Sequence, residues 1–145
     1  MRIPVKVPVR QLRALRHRIG RRGLFLGFLA VLDGVFGYFL LIPPVGFSPT
    51  QVFPLLPETA WAVAWLTVGA SCIVGMFMKV DRVPYMLAAL LKASWGLRYA
   101  YIWYKGLAPY AWVSLVIWLA FAGTVMMVAG WPEAKVIVLP PEAKR

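Results

Sequence analysis

A chain of 145 residues that is 61% hydrophobic and only 14% charged cannot hide its apolar surface in water, which excludes an ordinary soluble globular domain. The formal net charge of +11 is unevenly spread, because eight of the sixteen Lys and Arg residues precede Gly23. The single cysteine, Cys72, rules out an intrachain disulfide or a cysteine-based metal cluster and reads as a packing residue.

Residues 1–22 form a basic arm without one acid. Such a block immediately before an apolar segment points to anionic headgroups and cytoplasmic retention rather than to nucleic acid, with Arg10, Arg13, Arg16, Arg18, Arg21 and Arg22 as the contact residues. Leu12, Leu15 and Ile19 recur at helical spacing while arginines and His17 cover the remaining face, so an amphipathic helix lying on the membrane is expected. Pro4 and Pro8 keep the chain extended until about Val9, and the surface helix is expected to hand over to the first span between Gly20 and Gly23. The arm lacks the serines of a transit peptide. The apolar run after it is too long for a signal peptide and ends in Pro43-Pro44 without a cleavage pattern.

Four apolar stretches follow, at residues 23–42, 60–78, 83–104 and 110–129. A hydrocarbon core about 30 Å thick needs roughly 20 helical residues per crossing, a length each stretch approaches or exceeds. The expected fold is therefore all-α: an integral membrane bundle of four transmembrane helices in residues 23–130, preceded by the basic arm and followed by a short tail, residues 131–145. Lys and Arg near span ends mark the cytoplasmic side. The arm, the turn from Lys79 to Arg82 and the tail should lie inside, while the proline-rich connection from Pro43 to Thr59 and the turn at Lys105-Gly106 face outward. Trp61, Trp103, Tyr104, Tyr110 and Trp112 stand near the outer ends and Trp131 at the inner end, as interfacial aromatic residues do.

Three charges fall inside the spans: Asp33, Lys92 and Arg98. Asp33 is eleven residues past Arg22 and Lys92 ten past Arg82, which places them about 16 and 15 Å from the inner interface at the helical rise. Each alone costs at least a few kcal/mol at the bilayer centre, so two opposite charges at one depth should pair. Arg98, nearer the outer surface, is expected to snorkel, its long stem carrying the guanidinium to the headgroups or to a loop carbonyl.

The first span repeats small residues, Gly23, Gly27, Ala30, Gly34 and Gly37, along one face, where another helix can approach closely. Thr67, Ser71 and Gly75 suggest a comparable stripe on the second span, and Ala120 with Thr124 a shorter one on the fourth. On the third span Lys92, Gly96, Tyr99 and Trp103 share a face, and with Gly34, Gly37 and Trp95 they are candidates to line a cavity or simply fill the bundle. Ordinary catalytic chemistry has no anchor: there is no nucleotide loop, no metal-ligand spacing and no Ser, His and acid set. Neither an enzyme nor a bound cofactor or metal is expected.

The segment Arg18 to Gly23, Asp33 with Gly37-Tyr38, the set Lys92, Trp95 and Gly96, and the stretch from Val116 to Gly123 continuing to Gly130-Trp131-Pro132-Glu133 resemble small four-span membrane proteins of actinobacterial phages and prophages. That resemblance implies residence in the bacterial inner membrane, self-association, a phage or host membrane partner and a holin-like role, in which many copies open the membrane to cell-wall hydrolases. The charge block here is N-terminal and the tail nearly neutral, a departure from the charged tail such proteins carry. Two further readings stand beside it: a non-catalytic membrane scaffold or accessory subunit, and a small proton-coupled transporter using Asp33, against which Lys92 competes as an internal counter-ion.

Overall fold

The computed structural model describes residues 9–42, 56–78 and 81–131, with side chains from Gly20 onward. It is all-helical among the described residues: α1 Val9–Leu41, α2 Glu58–Phe77, α3 Arg82–Tyr104 and α4 Ala111–Ala129. Three of them, α1 from Gly20, α2 and α4, are long and apolar enough to cross a membrane. α3 has 23 residues but is less apolar, because Lys92 and Arg98 interrupt it.

Helix boundaries follow local chemistry. α1 is interrupted at Gly20, whose φ of 60° and ψ of 178° are non-helical and ill-suited to a side chain, so the arm and the apolar segment meet at a kink where a hand-over is expected. The arginines Arg10, Arg13, Arg16 and Arg18 lie in the helical part before it, and their side chains lie outside the described residues. So do the proline-rich connection, Lys79 and the tail after Trp131. Pro84 sits in the first turn of α3, where its missing N–H removes no helical bond. α3 ends in a Schellman turn: Gly106, at φ 67°, donates to the Trp103 carbonyl at 2.9 Å, and Leu107 donates to Ile102 at 3.1 Å.

Successive helices pack antiparallel, and α1 runs parallel to α3. The α1 glycines set the closest approach to α2. A Cβ on Gly37 would lie 2.7 Å from Leu66 Cγ, and one on Gly27 would lie 2.9 Å from Met76 Sδ. From the other side, a Cβ on Gly69 would come within 3.2 Å of the Ala30 carbonyl. Gly23 is buried, but Gly34 leaves open space around its missing Cβ. Trp65 occupies the middle of the bundle, stacked on Phe36 at 4.9 Å and meeting Trp95 and Trp118 edge-on at 5.7 and 5.6 Å. Such contacts add about 0.5–1.5 kcal/mol each beyond burial.

One expected stripe is corrected, and another faces outward. α2 buries Trp61, Trp65, Val68, Cys72 and Gly75, whereas Thr67 is exposed and Ser71 half-buried with its hydroxyl donating to the Val68 carbonyl at 2.7 Å. Thr67 falls about 100° or more around the helix from Trp65 and Val68, so the large aromatic face won over the small polar one. The shorter stripe lies on the outward face of α4: Ala120 and Thr124 are both exposed, and the Thr124 hydroxyl donates to the Ala120 carbonyl at 2.9 Å.

Candidate functional site

The parallel run of α1 beside α3 sets two ion pairs on one seam. Lys92 Nζ donates to Asp33 Oδ1 at 2.7 Å, and both side chains are completely buried. Eleven residues earlier in each segment, Arg22 Nη2 on α1 donates to Oδ1 of Asp81, the residue that precedes α3, at 2.6 Å. Each pair is separated by 59 residues, so one helix register serves both. Eleven residues are three helical turns, about 16 Å, which keeps the pairs on the same face of each helix.

The upper pair is enclosed by aromatic rings. Lys92 Nζ lies 5.2 Å from the Trp65 ring centroid and 5.3 Å from that of Phe121, within the range of cation–π attraction. Asp33 Oδ1 takes the ammonium, and Oδ2 is buried without a protein donor among the described residues. Cys72 is fully buried with a free thiol in the same core. The two charges neutralise each other where water is excluded, the arrangement in which removing one partner costs most. Among the described residues no cluster of three or more His, Cys, Asp or Glu could hold a metal ion.

The lower pair was not legible as a site, because Asp81 reads as an acid in a turn. Its signal lay in the register: the offset that matches residue 33 to 92 also matches 22 to 81. Arg22 is thereby removed from the expected headgroup contacts, since its guanidinium pairs with Asp81 and lies 5.5 Å from the Tyr85 ring centroid. Tyr85 in turn donates its hydroxyl to the Arg22 carbonyl at 2.7 Å, tying the root of the arm to α3. Arg21 remains exposed.

The remaining candidates divide. Trp95 is buried, meeting Trp61 edge-on at 5.1 Å, and Gly96 lets α4 approach, a Cβ there lying 3.3 Å from Trp118 Cβ. Gly37 belongs to the α1–α2 contact rather than to a cavity lining. Tyr99 is half-buried and lines a shallow groove of about 380 Å³ with Ile102, Leu107 and Tyr110 at one end of the α3–α4 hairpin, well away from Lys92. Trp103 is 52% exposed, so the aromatic column above Lys92 breaks there.

Arg98 is only 8% exposed, with its guanidinium 4.5 Å from the Trp95 ring centroid, so it turns inward rather than extending to the headgroups. Trp61 is likewise buried, because it continues the face of Trp65, Val68 and Cys72, while Trp103, Tyr104, Tyr110, Trp112 and Trp131 are exposed.

Fold and site together define a helical bundle with an apolar exterior and an internally neutralised charge pair. Comparison of the chain with protein-family models, with curated proteins and with solved structures found no match.

Proposed function

We propose that this is a four-span bacterial inner-membrane protein, with both termini cytoplasmic, that acts by lateral association of copies and opens the membrane in a holin-like manner. It is a non-enzymatic protein whose surroundings are lipid with anionic headgroups on the inner side. α3 crosses with the others because Lys92 and Arg98 turn inward and Asp33 neutralises Lys92. The basic arm lies along the inner surface as an amphipathic helix.

One observation carries the assembly reading. The interior is filled by aromatic side chains and a closed ion pair, whereas the outward face of α4 leaves Ala120, Gly123 and Thr124 exposed, with nothing within 4 Å of a Cβ built on Gly123. Beside it runs an apolar groove of about 480 Å³ between α3 and α4, walled by Met86, Leu90, Ala93 and Met126. Exposed small residues in lipid are where a further helix can approach. A single copy so filled offers no polar path; copies that associate on such faces and rearrange would expose Asp33, Lys92 and neighbouring polar groups to a water-filled lesion.

The scaffold reading is favoured by a different observation, the Arg22–Asp81 bridge and the Tyr85 bond that fix the root of the arm. The two separate on induced expression in a bacterial host, following membrane potential and leakage of a cytoplasmic enzyme. Abrupt, delayed depolarisation, with timing shifted by Asp33→Asn, is the expected result. Healthy cells carrying correctly inserted protein would overturn it and leave the scaffold.

A further inference from the structure

The Asp33–Lys92 centre has the parts of an ammonium-binding site. A carboxylate accepts from the cation at 2.7 Å, two ring faces lie 5.2 and 5.3 Å from it, and both charged side chains are fully buried. Rings and a carboxylate are the chemistry that recognises an organic cation. We infer that the bundle centre is a recognition site for one primary ammonium group, and that Lys92 is its resident, tethered occupant.

Two features extend this beyond a structural ion pair. Asp33 Oδ2 is buried and has no donor among the described residues, so the acid retains capacity for another N–H. An ammonium has three donors, and one free of the Lys92 stem can bridge both carboxylate oxygens. The ring faces also bring no hydrogen-bond acceptor of their own, so they hold a cation without competing with Asp33 for its protons. With Lys92 in place the site is full, which makes the intact protein indifferent to external cations. Emptied of the lysine head, it should take a free one of the same size and shape.

Lys92→Ala deletes three methylenes and the nitrogen, the heavy atoms of n-propylammonium. The test is the melting temperature of purified Lys92→Ala protein in detergent, titrated with n-propylammonium chloride against sodium chloride and tetramethylammonium chloride. A neutral amine crosses apolar surroundings and takes the proton of the Asp33 carboxylic acid, forming the ammonium and the carboxylate together. The expected result is a saturating rise on the order of 4 °C or more with n-propylammonium alone, as for any ligand that binds only the folded state. The rise should be absent from the intact protein and from Asp33→Asn/Lys92→Ala.

Equal responses to propylammonium and sodium, or the same response in the intact protein, would overturn the inference. Should Lys92→Ala yield folded protein only when extracted with propylammonium, that rescue supports it. If no folded variant is recovered at all, the intact protein decides by NMR of the Lys92 side-chain nitrogen. Ammonium protons shifted upfield by the rings and protected from exchange support the site, and unshifted, rapidly exchanging protons contradict it. None of these outcomes depends on whether copies assemble or open a membrane.

Discussion

At the scale of single residues, the two ion pairs differ in how much each removal should cost. Asp33 and Lys92 are fully buried, so Asp33→Asn or Lys92→Met leaves one charge stranded and should destabilise the protein by about 3 kcal/mol or more. The double variant Asp33→Asn/Lys92→Met removes both charges and should recover most of that loss. Unfolding in detergent across the four proteins measures the coupling; additive losses would mean that the residues do not interact. Arg22 and Asp81 retain 17% and 11% side-chain exposure, and water tempers their pair. Arg22→Gln should cost about 1 kcal/mol, and the exchange Arg22→Asp with Asp81→Arg should restore part of it, read from the same melts. The pairing of Asp33 with Lys92 was legible because helical rise converts sequence distance into relative height along neighbouring helices. The inward turn of Arg98 and Trp61 was not, because position along a helix does not state which way a long or flat side chain faces.

At the scale of helices, the boundaries were legible to within a few residues, since apolar length and the breakers Gly20, Pro57 and Gly106 mark them. Which face of each helix packs was legible only on α1, where glycines leave a continuous small-residue line. On α2 Thr67 and Ser71 imitated such a line, although Thr67 is exposed and the Ser71 hydroxyl bonds a carbonyl of its own helix. Glycine substitutions distinguish the inner faces from the outer one. Gly37→Leu must push aside Leu66 and the Ala62 carbonyl and should separate α1 from α2, losing several degrees of melting temperature. A Cβ on Gly123 meets nothing within 4 Å and the position borders the open α3–α4 groove, so with Gly123→Leu the single copy should melt at an unchanged temperature or slightly higher. Thr67→Val, on an exposed position, should be neutral in the same measurement.

For the whole molecule, the distribution of polarity explains the economy of the design. Charges that would oppose insertion are collected between α1 and α3, the rings of α2 and α4 close around them, and the outer surface is left apolar with an accessible small-residue line on α4. On the proposed function, activity arises between copies rather than within one, and it requires contact through the α4 face. The most direct measurement places one thiol there, Gly123→Cys in a Cys72→Ala background, and oxidises membranes from expressing cells while membrane potential is followed. Disulfide-linked dimers that appear as the potential collapses, and that are absent when the thiol is moved to the buried Val125 position, are the predicted result. Collapse without cross-linking, or cross-linking in fully energised cells at every stage of expression, would contradict it.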